Sequence, residues 1–173
     1  MRDESLQLGT PLQLWYDLVR DGEDRVRTRL PEMIESYLVF VLQRHQGDAV
    51  MGQRIMALDW LGGQQLAGRE RADAMRDVGD RCLLIAGMFP RLAERRNLQP
   101  GYYAALGRTA YAEVAAVARA GYAELFALLA QAFDTMLRVL GGLRATPQLH
   151  GAPQLVVAPG WDDFPHIIAG RTH

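Results

Sequence analysis

At 173 residues and a formal net charge of −1, the chain is sized for one domain with a single core, and its charge offers no attraction to nucleic acid or to an anionic membrane. Its one cysteine, Cys82, excludes an intrachain disulfide. The N-terminus has no apolar signal core, and no apolar run approaches the roughly 18 residues of a membrane span, so we expect a cytoplasmic protein. All 19 basic residues are arginine, which indicates a GC-rich bacterial coding sequence.

The first predicted helix begins at Thr10 and Pro11. Threonine is a favourable N-cap, and proline is favourable as the first helical residue. The short apolar face that follows consists of Leu14, Trp15 and Leu18. We expect this helix to end near Gly22, with residues 21–30 forming a charged connection at the surface.

Two further helices are predicted before residue 65. Pro31 begins the second, which extends to about His45. Its YLVFVL run at 37–42 is apolar on all sides and predicts a largely buried helix, although Val, Phe and Tyr leave a strand as the alternative. Residues 49–61 form a third, weaker helix, and the glycine pair at 62–63 is expected to end it.

Residues 69–97 contain the helix that we expect at the centre of the fold. Acidic residues form one stripe along it and very small residues form another: Glu70, Asp73, Asp77 and Asp80 in the first, Ala72, Gly79 and Ala86 in the second. The charges vanish after Cys82, so the helix is predicted to run from the surface into the core. A glycine inside a helix costs about 1 kcal/mol relative to alanine. Gly79 therefore predicts the close approach of a second helix over 101–118, unless a GC-rich genome simply encodes many small residues.

The end of the chain changes character. Pro90 interrupts the central helix and residues 91–96 add a turn or two, after which a fifth helix is predicted over 101–118 and a sixth from near 121 to the glycine pair at 141–142. Residues 145–173 hold four of the eight prolines. The sequence thus predicts an all-α, single-domain bundle of five or six main helices over 1–144, with an extended, Pro-rich C-terminal tail over 145–173 packed on the domain or on a partner subunit.

The acidic stripe is the first candidate site. Carboxylates on one helix face can bind a divalent metal or supply acid and base groups, although the Glu-x-x-His pairs of di-metal bundles do not occur here. Pairing with arginines of the same helix is the alternative. Asp77 and Asp80 lie where the helix becomes apolar, so burial of either one requires a cation. Arg108, in the middle of the fifth helix, predicts a buried ion pair with Asp77 or Asp80.

A ligand pocket is predicted between the fourth and fifth helices. Its walls would be Met88 and Phe89 together with the tyrosines of the fifth helix, Tyr102, Tyr103 and Tyr111. Tyrosines beside small residues also fill gaps in a core, and this is the alternative interpretation of the same pattern.

Other catalytic or metal-binding patterns are weaker. Asp163 and His166 have the spacing of two metal ligands, but Pro165 lies between them. Cys82 belongs to the apolar stripe, where a cysteine behaves as a small hydrophobic residue. No cofactor is predicted, because the sequence has neither a glycine-rich phosphate loop after a strand nor a Gly-x-Ser-x-Gly elbow.

These observations favour a non-enzymatic regulatory or protein-interaction module that forms a homodimer, with neither a membrane nor a nucleic acid as partner. One alternative is a helical small-ligand or metal-binding protein, enzymatic or not, centred on Asp77, Asp80 and Arg108. The other is a DNA-binding regulator. The arginine clusters at 25–29 and 91–96 argue against it, because neither cluster has interleaved aromatic residues.

Overall fold

The computed structural model describes residues 10–48, 54–99 and 101–145, and within these ranges the chain is helical with no strand. The eight described helices are α1 Pro11–Val26, α2 Glu32–His45, α3 Met56–Gln64, α4 Gly68–Met88, α5 Pro90–Arg95, α6 Tyr102–Val117, α7 Ala120–Gln131 and α8 Phe133–Arg144. The all-α class is confirmed. The helix count differs because the turns after Pro90 form a separate short helix and because the predicted sixth helix is divided at Ala132. The predicted tail lies outside the described residues.

The start of α1 agrees with the prediction from the sequence, whereas its end does not. The Thr10 side chain accepts a hydrogen bond from the Gln13 backbone N–H at 3.2 Å and caps the helix. The helix then continues beyond Gly22 to Val26, so the predicted surface connection is wrong over residues 21–26. Within this extra turn Glu23 is buried.

Gly22 does not end α1 because it is a contact point between two helices. A Cβ atom added there would lie 2.6 Å from the Val139 carbonyl oxygen of α8, and one added at Gly142 would lie 2.5 Å from the Gly22 carbonyl oxygen. The backbones of α1 and α8 therefore touch where neither residue has a side chain. Gly142 was likewise expected to end a helix, yet α8 includes it and continues to Arg144.

The second helix is confirmed over Glu32–His45, although it is not buried on all sides. Its inner face is in the core, whereas Met33 and Phe40 are exposed. The third helix begins at Met56, and the glycines at 62 and 63 lie inside it rather than beyond its end. Residues 49–53, the start of the predicted third helix, lie outside the described residues.

The central helix is α4, as predicted. It contacts α3, α5, α6 and α8, and its apolar half is fully buried over residues 82–85. Gly79 is also buried, and α6 is the helix that approaches it: a Cβ atom at Gly79 would lie 2.4 Å from the Tyr111 ring. The predicted partner of Gly79 is therefore correct, but the space beside Gly79 is filled by a tyrosine ring rather than by small residues.

The last two helices are joined at Ala132, which ends α7 and precedes α8. Taken singly, none of the helices in the described part of the chain has both the length and the hydropathy to cross a bilayer. Together α7 and α8 reach both, with a bend of 65° between them. The bend places Phe133 in the core, where its ring lies over Gly107 of α6.

The neighbouring glycines of α8 provide a test of the α1–α8 contact. Gly142→Ala should destabilise the protein by about 1–3 kcal/mol, because the new methyl group meets the Gly22 backbone and cannot be accommodated without moving a helix. Gly141→Ala is the matched control. A Cβ atom there has no neighbour within 4 Å, and the substitution should stabilise the helix by roughly 0.5–1 kcal/mol. Urea denaturation of both variants measures the difference, and equal shifts would contradict the contact.

Candidate functional site

The most unusual feature of the core is a buried carboxylate on α4. Asp80 is only 1% exposed. Its Oδ1 accepts a hydrogen bond from the Tyr37 hydroxyl of α2 at 2.7 Å and another from the Tyr111 hydroxyl of α6 at 2.7 Å. A buried carboxylate needs such donors to offset the loss of its hydration. The three side chains thus link α2, α4 and α6 through one oxygen atom.

Gly79 explains how Tyr111 reaches this carboxylate. The tyrosine ring occupies the space that a side chain at position 79 would need, so the residue before Asp80 leaves room for the ring whose hydroxyl binds Asp80. The rings of Tyr37 and Tyr111 meet edge to face at 6.1 Å, and each lies 5.5 Å from the ring of Phe126 on α7. These aromatic contacts fix both hydroxyl groups in place.

Burial changes the acidity of all three groups. Burial raises the pKa of Asp80 from 3.8 to about 6. The hydrogen bonds from the two tyrosine hydroxyls lower this pKa, but their effect is smaller than that of burial. The pKa values of Tyr37 and Tyr111 are raised by burial and by the Asp80 charge, so both phenols remain protonated donors. Asp80 therefore titrates near pH 6, and it does so inside the core.

The ion pair predicted for this region does not form between the expected partners. Arg108 lies 2.5 Å from the Asp134 carboxylate of α8, and Asp77 pairs with Arg44 of α2 at 3.3 Å. Asp80 is satisfied by hydroxyl groups instead of a cation. The physical reason is that α6 turns Gly107 and Tyr111 towards the core, which leaves Arg108 on a partly exposed face beside α8.

Two members of the acidic stripe, Asp73 and Asp77, are paired at the surface, and Glu70 is exposed. Asp73 lies 3.4 Å from Arg76 and 4.0 Å from Arg69 on the same helix. Arg81 instead pairs with Asp48, beyond the end of α2. Local pairing thus accounts for Asp73 and, together with Arg44, for Asp77.

The residues of the predicted ligand pocket lie mostly in the core. Met88, Phe89, Tyr103 and Tyr111 are buried, and Tyr102 is half-buried with its ring 5.2 Å from that of Tyr103. Beside Gly107 the space is occupied, because a Cβ atom there would lie 2.4 Å from the Phe133 ring. Asp163 and His166 lie outside the described residues. Within 10–48, 54–99 and 101–145 no group of three or more His, Cys, Asp or Glu side chains is arranged to hold a metal ion.

Two polar clefts lie away from Asp80. One, of about 470 Å³ between α1 and α2, contains the Arg20–Glu35 ion pair at 3.6 Å. The other, of about 380 Å³ beside the end of α2, is lined by His45, Asp48 and Arg81 among others. The His45 Nδ1 lies 3.4 Å from Asp48, and burial lowers the histidine pKa, which favours the neutral ring. In both clefts oppositely charged side chains pair with each other across the lining.

Large apolar side chains are exposed on α2 and α7, and the half-buried Tyr37 that binds Asp80 shares a helix face with two of them. Met33, Tyr37 and Phe40 share one face of α2 at positions i, i+4 and i+7. Met33 is 55% exposed, Phe40 is 59% exposed, and on α7 Tyr122 is 55% exposed. The rings of Tyr37 and Tyr122 both contact Phe126, at 5.5 Å each. We call these residues, Met33, Tyr37, Phe40 and Tyr122, the α2–α7 surface.

The chain matches no protein-family model, no curated protein and no solved structure in comparisons with all three. Its function therefore has to be inferred from its own residues. Two features carry that inference: the buried triad of Tyr37, Asp80 and Tyr111, and the α2–α7 surface, which shares Tyr37 with the triad.

Asp80→Asn tests the buried charge. The pKa of Asp80 is higher in the folded state than its ordinary value of 3.8, so the folded state binds more protons between about pH 4 and 6 and loses stability as the pH rises through this range. The shift to about 6 corresponds to about 3 kcal/mol of unfolding free energy at pH 7. Asparagine cannot ionise and keeps an oxygen acceptor for both tyrosines. The unfolding free energy of the variant should therefore not decrease over this pH range as that of the wild type does.

Urea denaturation at pH 4 and pH 7 measures this difference between variant and wild type. Asp77→Asn is the matched control, because it removes a carboxylate from the same helix that is 42% exposed. A parallel pH dependence in wild type and Asp80→Asn would contradict the buried charge.

Tyr37→Phe and Tyr111→Phe test the two donors separately. Each variant leaves the Asp80 carboxylate with one hydroxyl fewer, and at pH 7 each should cost about 1–3 kcal/mol of unfolding free energy. Each should also raise the pKa of Asp80 further, because both hydrogen bonds lower it. Tyr16→Phe is the control, since the Tyr16 hydroxyl lies 2.9 Å from the neutral Ser36 hydroxyl and its loss should cost less. An equal cost for all three variants would show that the bonds to Asp80 have no special strength.

Proposed function

We propose that the protein is a non-enzymatic protein-interaction module that forms a homodimer through the α2–α7 surface. The observation that carries this proposal is the exposure of Met33 and Phe40 on α2 and of Tyr122 on α7, two adjacent helices linked by the contacts of Tyr37 and Tyr122 with Phe126. Single exposed hydrophobic residues are common on monomers and need no explanation. Large ones grouped on neighbouring helices mark an interaction site.

The residue types and their support favour protein binding. Aromatic side chains and methionine are enriched in protein interfaces. Tyr37, in the middle of the surface, is held by its hydrogen bond to Asp80 and by edge contacts with Tyr111 and Phe126. A surface whose side chains are already fixed loses less conformational entropy when a partner binds.

A two-fold dimer is the simplest arrangement for such a patch. In a two-fold dimer the same surface is used on both subunits, so an aromatic and methionine-rich patch can pack against its own copy. The Arg44–Asp77 ion pair, one turn of α2 beyond Phe40, would supply the polar rim on one side.

The polar groups of the described residues give less support to catalysis. Cys82 is fully buried, and burial raises the pKa of its thiol, which disfavours the reactive thiolate. In the two clefts the charged side chains are paired with each other. The α2–α7 surface is therefore a better basis for function than either cleft.

Light scattering coupled to size exclusion tests the proposal. We expect the wild type to be a dimer whose dissociation constant rises at least about 30-fold in the double variant Phe40→Ser, Tyr122→Ser. Both side chains are exposed, so the variant should fold normally. The control is Leu128→Ser, an exposed residue on a different face of α7. A wild type that remains monomeric at its highest attainable concentration, or a control that dissociates the dimer equally, would contradict the proposal.

A further inference from the structure

A second apolar surface is formed by α3 and the residues that flank it, on the side of α3 that faces away from α4. We call its four residues the α3 surface: Ile55, Leu58, Leu61 and Leu66 are 56%, 61%, 53% and 39% exposed. The inner side of the helix is defined by Met56, which is buried, and by Gly63, where an added Cβ atom would lie 2.2 Å from the Met75 side chain. A helix at the surface of a domain normally carries polar residues on its outer face. On α3 that face is aliphatic.

We propose that the α3 surface is a docking site for the chain's own C-terminal segment, residues 146–173. This segment lies outside the described residues, and its sequence provides the matching chemistry. It contains two apolar runs, LVVA at 155–158 and FPHII at 164–168. Aliphatic side chains on both partners would remove each other from water, which is the main favourable contribution to such packing.

The last described helix before the segment, α8, ends near the same end of α4 at which α3 begins. At the end of α8 the Arg144 guanidinium donates a hydrogen bond to the Gly87 carbonyl, in the last turn of α4, at 3.3 Å. At the start of α3 the Arg54 carbonyl accepts one from Arg96, which follows α5, at 2.9 Å. Because α5 directly follows α4, both points are near the same end of α4.

The length of the segment allows both apolar runs to reach the α3 surface. Residues 146–164 span up to about 60 Å when extended, whereas α4, with 21 residues, is only about 30 Å long. The segment is therefore long enough for either run to contact the α3 surface, even if its path is indirect.

The pattern of the segment suits an extended strap lying on a helix. Prolines at 147, 153, 159 and 165 recur every six residues and favour an extended backbone over a helix. The acidic pair at 162–163 falls between the two apolar runs, where it can remain in water while one of the runs contacts α3. The nearest acidic residue on α3, Asp59, is already neutralised by a bidentate contact with Arg54 at 2.8 and 2.9 Å.

Limited chymotrypsin digestion of the full-length protein tests the docking. Cleavage after Trp161, between the two runs, is followed by mass spectrometry. The double variant Leu58→Glu, Leu61→Glu places charges on the α3 surface and should accelerate this cleavage at least tenfold. Both residues are exposed, so thermal unfolding should be unchanged. Leu128→Glu is the control at an exposed leucine elsewhere and should leave the cleavage rate as in wild type.

A second variant approaches the same contact from the other side. Val156→Asp with Ile167→Asp changes only the segment and should accelerate cleavage to the same extent as the α3 double variant. An unchanged rate in the α3 variant would overturn the proposal, as would equal acceleration by Leu128→Glu. Protection of Trp161 that increases with protein concentration would overturn it too, because the segment would then bind a second copy of the chain.

Discussion

The arrangement of the central helices depends on two hydrogen bonds to one buried carboxylate. Asp80 lies at the junction of α2, α4 and α6, and its Oδ1 accepts hydrogen bonds from hydroxyl groups of the other two helices. Burial without those donors would cost several kcal/mol. The positions of α2 and α6 relative to α4 are therefore constrained by two short bonds that converge on a single atom. This convergence gives the core a directional element that apolar packing lacks.

Glycines lie at several of the helix contacts in the described part of the chain. Tyr111 packs over Gly79, Phe133 packs over Gly107, and the backbones of α1 and α8 meet at Gly22 and Gly142. In the first two crossings an aromatic ring replaces the absent side chain. In the third, one peptide backbone lies directly against another. Each glycine makes its helix less stable than alanine would, by about 1 kcal/mol. The packing contact at that glycine compensates for the difference.

Much of this architecture could be predicted from local patterns. The period of α4, the cap at Thr10 and the packing of another helix on Gly79 all follow from residues near each other in the chain. The glycines at 22 and 142 were interpreted wrongly, because a glycine at a helix end and one at a helix contact look alike until the partner helix is known. The contact between Tyr37 and Asp80 joins residues 43 positions apart. No spacing rule connects them, so the expected partner of Asp80 was a cation rather than two phenols.

The location of the only thiol has a practical consequence. Cys82 is fully buried, and its Cβ lies 3.0 Å from the position that a Cβ atom would occupy at Gly107. A maleimide or disulfide reagent can reach the sulfur atom only after α4 and α6 separate. In the native protein the rate of alkylation thus reports on transient opening of the core. For the same reason, a cysteine introduced at the surface can be labelled with a fluorophore while Cys82 remains protected.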